Sequence, residues 1–323
     1  MPTSGRATVV PALLAAALSV DAAAQSYPQR PIQLVVATAP SGGTDAVGRL
    51  IGQKLSDALA QNVVIDNRPG ASGSIGTAFV AKAMPDGYTL LVANVGHVAM
   101  NPAIARVPFD TLRDFAPVSQ IASGPLILLA HPLVPVRTVR DVIALAKAKP
   151  GKLNYATGGS GTTSHFGMEL FKSMTGTDIV HIAFKGIAPA TISLIAGEVD
   201  LMFNTTPPAL PQVRAGKLKA IAMASLKRTN FASELPTLAE SGVPGFEAGV
   251  WYGILAPAGT APNIIARLNS EIVRIVRLPD VQQRLALEGV EAVGNSPGEF
   301  GAYMKSELAK YATLARRANI RAD

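Results

Sequence analysis

The chain has 323 residues, 48% of them hydrophobic and 16% charged, with a formal net charge of +7; that is enough length and apolar material for a large core in two lobes. Cysteine is absent, which excludes disulfides, zinc–thiolate centres and cysteine nucleophiles. The cations are scattered and no Lys/Arg cluster interleaves with aromatics, so nucleic acid is not an expected partner.

In chain order, Arg6 precedes an apolar run from Ala7 to Val20, followed by Asp21-Ala22-Ala23-Ala24-Gln25. The run contains Pro11 and is shorter than the roughly 20 residues a membrane span needs. Small residues at the end of such a run mark a secretory signal peptide, here residues 1–24, cleaved after Ala24. The mature chain is therefore expected in the periplasm. The leader carries one Arg and one Asp, so its loss leaves the net charge unchanged.

Beyond it, Ile32 to Ala37 reads as a strand buried on both faces. A helix follows with Val47, Leu50, Ile51, Leu55 and Leu59 on one face. Val63 to Ile65 reads as a strand, Asn67 to Gly73 as a loop, Ile75 to Ala83 as a helix and Tyr88 to Ala93 as a third strand. The alternation restarts with strands at Leu126–Ala130, Leu153–Ala156, Val180–Phe184, Val199–Phe203 and Leu218–Ala224. Helices at Val139–Ala148, Thr163 to about Met174 and Ala188–Ala196 lie between them. Trp251–Ala256 then reads as a strand, and two helices near Ile264–Val276 and Pro297–Ala318 close the chain. Strands alternating with helices predict α/β architecture with parallel sheets. Residues 25–124 with 251–323 are expected to form one lobe and residues 125–250 the other, linked by strands near Leu126 and Ile254.

Strand-to-helix junctions in both lobes are rich in small hydroxyl residues and glycine. The first is Pro40-Ser41-Gly42-Gly43-Thr44-Asp45; the second runs from Thr157 to Ser164 and contains Gly159, Ser160, Gly161 and Thr162. Glycine lets backbone approach a ligand closely, and a helix start offers unpaired N–H groups. Two such loops facing each other would clamp an anion. Gly43→Val is accordingly expected to place a side chain where a carboxylate sits. Phe184-Lys185-Gly186 forms a third junction, with Lys185 at a rim, and Asn94, Gly96 and His97 after the third strand offer a fourth lining segment. None of these loops holds an arginine to pair a carboxylate through two hydrogen bonds.

At these residues the chain resembles a known family. Pro40-x-Gly42-Gly43-x-Asp45, Asn67-Arg68-Pro69-Gly70-Ala71, Pro85-Asp86-Gly87-Tyr88, Tyr155-Ala156-x-Gly158-x-Ser160-Gly161, Lys185-Gly186-x-Ala188-Pro189 and Gly197-x-Val199-Asp200 occur in order. The series is similar to that of the Bug, or TctC-like, extracytoplasmic solute receptors of tripartite tricarboxylate transporters. The resemblance implies a two-lobed type II periplasmic-binding-protein fold of the Venus-flytrap kind. It also implies membrane transporter subunits as partners, and a small organic carboxylate held by loop backbone, hydroxyls and water. An amino-acid, di- or tricarboxylate or an aromatic acid would each fit. Many relatives carry Tyr where Phe184 stands, Asp where Asn204 stands and Ser or Thr where Asn94 stands. Asn204 is therefore included among the ligand-binding candidates.

The chain is expected to be a monomer, with no cofactor, no metal and no enzymatic activity. Gly158-Gly159-Ser160-Gly161-Thr162 approaches the G-x-S-x-G pattern of serine hydrolases but ends in Thr162. No Lys follows the glycines, as a P-loop would require. The four histidines, His97, His131, His165 and His181, lack zinc-site spacing. A periplasmic serine hydrolase and a receptor presenting its ligand to a membrane sensor remain the alternatives.

Overall fold

The computed structural model describes residues 27–40 and 42–321; the expected signal peptide and Ser41 lie outside the described residues. The apolar run after the leader forms β1 (Ile32–Val36), and Gly42 starts α1 (Gly43–Leu59) without a side-chain cap. Next come β2 (Val63–Asn67), α2 (Ser74–Ala81), β3 (Thr89–Asn94) and the short α3 (Asn101–Ile104). Then follow β4 (Phe115–Ala130), α4 (Val139–Ala148), β5 (Asn154–Thr157), α5 (Thr163–Thr175), β6 (Val180–Ala183), α6 (Ile187–Ala196), β7 (Leu201–Thr205), α7 (Thr206–Arg214) and β8 (Lys219–Met223). The chain ends with β9 (Gly249–Pro257), α8 (Pro262–Val276), α9 (Pro279–Leu287), β10 (Glu291–Ala292) and α10 (Pro297–Arg317).

Strand order is β2-β1-β3-β9-β4-β7-β5-β6, with β8 and β10 also pairing β4. The strands β1, β2 and β3 are parallel, as are β5, β6 and β7. The second set joins β4 directly through β7, and the first reaches it through β9. The first half of β4 pairs β9 antiparallel from Phe115 to Pro125, and its second half pairs β7 and β8 antiparallel from Leu126 to Ala130. One strand thus belongs to both halves of the molecule. This is the two-lobed periplasmic-binding-protein architecture.

Three apolar clusters fill the fold. One joins β1, β3 and β9 to α8 and α10; the other two lie around β4's second half, with Leu126, Leu128 and Phe203 in one and Ile127, Leu129 and Met202 in the other. Phe166 of α5 sits in the first cluster, where its ring meets Tyr311 of α10 edge-on at 5.3 Å. α5 therefore packs across the molecule as well as within its own sheet.

The first half of β4 is absent from the sequence reading. Its residues, Phe115 to Pro125, are interrupted by Pro117, Ser119, Gly124 and Pro125, and the register slips at Pro117/Ser119 and at Gln120/Ala122. Bulges of this kind break the alternation by which a strand is recognised. α7 is hidden by Pro207, Pro208 and Pro211; the first two sit in the first turn, where N–H groups have no intrahelical partner, whereas Pro211 lies inside the helix.

Where β4 and β9 cross, glycines permit direct backbone contact. A Cβ on Gly249 would lie 2.5 Å from the Gly124 carbonyl oxygen, and one on Gly124 would run into the Gly289 carbonyl oxygen. Backbone atoms cannot rotate away as a side chain would. Gly249→Ala should therefore cost about 1–3 kcal/mol through overpacking. Gly298→Ala, where a Cβ meets nothing within 4 Å, should be neutral or slightly stabilising. Urea unfolding of both variants checks this; equal midpoints would show that the crossing relaxes freely.

Candidate solute site in the cleft

A cavity of about 370 Å³ lies between the loop ends of the two lobes. From the first lobe it is walled by Ala37–Ala39 after β1, Pro69, Gly70, Ser72 and Gly73 after β2, and Asn94, Gly96 and His97 after β3. Gly161, Thr162 and Thr163 from the β5–α5 junction close it from the other side. A larger cavity, about 460 Å³, lies at the β4/β9 crossing and is lined by Gly124, Gly249, Trp251 and Glu307 among others. It touches none of the predicted loops, so the smaller cavity is the candidate site.

Of the residues singled out from sequence, Asn94, Gly96, His97, Gly161 and Thr162 line this cavity. Pro40, Gly42, Gly43, Thr44 and Asp45 do not, and Ser41 is outside the described residues. Thr44 is buried and accepts a 2.8 Å bond from Asn94 Nδ2. Asp45 is buried too, taking hydrogen bonds from Arg49 Nε at 2.9 Å and Asn67 Nδ2 at 2.9 Å. Thr44 and Asp45 thus brace the wall from behind. A side chain at Gly43 would meet Tyr252 Oη at 2.6 Å. Gly43→Val would therefore displace the Tyr252 hydroxyl, and the expectation that it fills the carboxylate's place is corrected.

The second loop spends its hydroxyls on itself. Thr162 Oγ1 donates to Gly159 O at 2.7 Å, and Gly159 N donates to Thr157 Oγ1 at 3.2 Å. Gly158 N donates to Ser164 Oγ at 3.3 Å. What this loop can offer a solute is its backbone and Thr163, which also lines the cavity. Ser160 is half-buried and off the cavity wall. Phe184 packs against a core cluster, Lys185 is exposed and Gly186 starts α6. Asn204 is fully buried, donating to Thr191 Oγ1 at 3.1 Å and accepting from Thr205 N at 2.8 Å.

The wall contributed by residues 70–73 was not among the candidates, although the glycines flanking that loop are the sequence signal that marks it. Gly70, Ala71, Ser72 and Gly73 all have positive φ, at 122°, 45°, 50° and 86°. For Ala71 and Ser72 this costs about 1–2 kcal/mol each, and such strain collects at functional loops. Asn101 holds the loop in place: its Nδ2 reaches Ala71 O at 3.3 Å and Ser74 Oγ at 2.8 Å. Gly73 also leaves room for the His97 ring, which a Cβ there would strike.

His97 is set by Asn94. Its backbone N donates to Asn94 Oδ1 at 3.0 Å, and Asn94 Nδ2 lies 3.3 Å from His97 Nε2. An amide nitrogen only donates, so Nε2 accepts and the imidazole proton sits on Nδ1. Nδ1 is buried and has no partner among the described residues; Thr38 Oγ1, on the same wall, is likewise buried without one. No lining residue other than His97 is ionisable. The nearest arginines are committed elsewhere, Arg49 to Asp45 and Arg68 to Asp66. Among the described residues, no three His, Asp or Glu groups converge as a metal site.

A two-lobed α/β fold with a neutral, donor-lined cavity between loop ends defines a solute receptor of the periplasmic-binding class. Residues 47–320 match the model of the tripartite tricarboxylate transporter family receptor, TctC, and the chain belongs to that family. The family's members are periplasmic receptors. The chain is 36% identical to protein BugT of Bordetella pertussis over 307 residues, 93% of each chain. An R. palustris protein solved with adipate is 36% identical, with a TM-score of 0.83 over 92% of this chain and 100% of that one. MatC of Rhodopseudomonas palustris, solved with bound malate, is 31% identical, with a TM-score of 0.78 over 89% of this chain and 99% of that one.

Two predictions follow from this geometry. Asn101→Ala removes the clamp on the 70–74 loop and should cost about 1–2 kcal/mol of stability, measured by urea unfolding. Burial pulls the His97 imidazole down to about 4 from its ordinary 6.5. The unfolded chain then takes up this proton below about pH 6.5, while the folded chain does so only near 4. Stability should fall as pH drops through that window, by at most roughly 3 kcal/mol. His97→Gln should lose less between pH 7.5 and 4.5; an equal loss in both proteins would assign the effect to other groups.

Proposed function

We propose that this chain captures a small organic carboxylate in the cleft and presents it to the membrane subunits of a tripartite transporter. The observation that carries this reading is a cavity with neutral walls formed by glycine-rich loop ends of both lobes and the start of α5. Backbone N–H groups at glycines and the start of α5 supply partial positive charge without a cation. A volume of about 370 Å³ accommodates a chain of four to six carbons with a carboxylate at each end. The relatives solved with adipate and with malate support a dicarboxylate.

In this reading the chain is a monomer without enzymatic activity, secreted by a leader ending at Ala24. The lobes are residues 25–124 with 251–323, and 125–250. The β4/β9 crossing is the hinge about which they close on the solute. The contacts at the second junction argue against a hydrolase: His165 Nδ1 is occupied by the Gly161 N–H, and His181 Nε2 bonds the Thr157 hydroxyl.

A thermal-shift panel containing adipate, malate, citrate, aspartate and benzoate tests the proposal. A ligand at 100 times its Kd stabilises by about 2.7 kcal/mol. Removing the Thr162 hydroxyl, which pins the second loop through Gly159, should weaken the best binder about tenfold, equivalent to 1.4 kcal/mol. Small-angle scattering should show compaction of wild type on adding that solute and less compaction of Ser160→Ala/Thr162→Ala. No shift with any carboxylate, together with ester turnover abolished by Ser160→Ala, would replace this reading with a hydrolase.

A further inference from the structure

The larger cavity, about 460 Å³ at the crossing of β4 and β9, takes no part in the solute site. It is lined by the crossing itself at Gly124 and Gly249, by the segment after β8 and by α10. Both halves of the molecule therefore contribute to it. Three aromatic side chains line it: Trp251 of β9 and Tyr303 and Tyr311 of α10. The Trp251 and Tyr303 rings meet edge-on with centroids 6.0 Å apart. Glu307 lies four residues along α10 from each tyrosine, so all three share one helix face. It is buried, and its Oε2 accepts from Trp251 Nε1 at 3.2 Å. Glu247 and Glu291 line the same cavity, are exposed and form no ion pair among the described residues. Burial holds both phenols protonated, and the nearby charges of Glu307 and Glu247 act in the same direction.

We propose that this cavity is a second binding site, for a small organic cation such as an alkylamine. Lys310 shows what the wall attracts. Its ammonium lies 3.3 Å from Glu307 Oε1 and 5.2 Å from the centre of the Tyr311 ring. An ammonium gains from a carboxylate and from the negative face of an aromatic ring together, and most where water is excluded. Lys310 answers Glu307 only, which leaves Glu247 and Glu291 for a ligand. The other cations in the wall do not offset them. Arg228 is engaged by Glu240 at 2.9 Å, and Lys227 is exposed. An anion would thus meet more uncommitted negative charge than positive. A hard metal ion fits no better, because no three carboxylates converge among the described residues. A cation with an alkyl body suits both the charge and the rings. Since both halves of the molecule line the cavity at their crossing, its occupancy is linked to closure of the cleft. That link, unlike the site itself, rests on the cleft being the solute site.

Trp251 is the one tryptophan of the chain, so tryptophan fluorescence reads this cavity directly. The test titrates the full mature chain with n-butylammonium, and with sulfate as the anionic control, at constant ionic strength because exposed charges are screened by salt. We expect a saturable change with butylammonium and none with sulfate. Glu247→Lys should weaken butylammonium binding about tenfold and Glu247→Gln about threefold. Lys310→Ala removes the tethered ammonium and leaves Glu307 for the ligand; butylammonium should bind it about tenfold more tightly than wild type and raise its melting temperature more. A response that does not saturate, sulfate binding more tightly than butylammonium, or affinities unchanged in both Glu247→Lys and Lys310→Ala would overturn the proposal. The link to the cleft is read from adipate affinity with and without butylammonium. The two ligands should alter each other's affinity by one common factor, and a factor of one would overturn the link. Failure of adipate and malate to bind would count against the carboxylate reading instead, and the tryptophan titration would still decide the second site.

Discussion

Backbone meets backbone at the crossing of β4 and β9, with Gly249 against the carbonyl of Gly124 and Gly124 against that of Gly289. The close approach lets a single strand leave one sheet and enter the other without a side chain between them. Because β4 pairs β9 on one side of this point and β7 and β8 on the other, both parallel sets inherit their orientation from it. In parallel α/β sheets the ligand lies off the carboxyl ends of the strands. The loops after β1, β2 and β3 and the loop after β5 all leave such ends. Their convergence on one cavity follows from the crossing.

The cleft resolves a conflict between anion affinity and release. An arginine in the wall would give a strong bidentate pair, but it would also have to be desolvated and later given up. This wall uses neutral donors instead, and the nearby cations are held by their own carboxylates, as Arg49 is by Asp45. The cost appears as strain and orphaned polarity: left-handed Ala71 and Ser72, and the Nδ1 of His97, without a partner among the described residues. Both are held by residues behind the wall. Asn101 fixes the strained loop, and Asn94, itself held on Thr44, fixes the imidazole. Burial keeps that imidazole neutral at ordinary pH, so it presents one donor and no charge.

Much of the fold was legible because its central strands are largely buried and read as almost wholly apolar runs, as at Ile32–Val36 and Leu126–Ala130. Where strand identity rests on tertiary pairing the sequence is mute: Phe115–Pro125 is a strand because β9 lies beside it, despite two prolines and two register slips. The site was legible to the level of loops. Asn94, Gly96, His97, Gly161 and Thr162, which line the cavity, stood out because glycine and small polar residues at strand ends carry a local signal. Asn101 was not, since its importance lies in reaching carbonyls about thirty residues back along the chain, and nothing near it in sequence marks that contact.

The hydroxyls show most clearly why a residue's type does not assign its role. Thr157, Thr162 and Ser164 have the chemistry to hold an anion, and sequence spacing places them beside a helix start. In the folded loop each is already engaged, Thr157 with Gly159 and His181, Thr162 with Gly159, and Ser164 with Gly158. Thr162 spends its proton on the Gly159 carbonyl, while Ser164 and Thr157 accept from the Gly158 and Gly159 N–H groups. What the turn gains is rigidity, so that backbone N–H groups are oriented before the solute arrives and less ordering entropy is lost on binding. Serine, threonine and glycine in such a loop therefore serve one end: glycine permits the shape and the hydroxyls lock it.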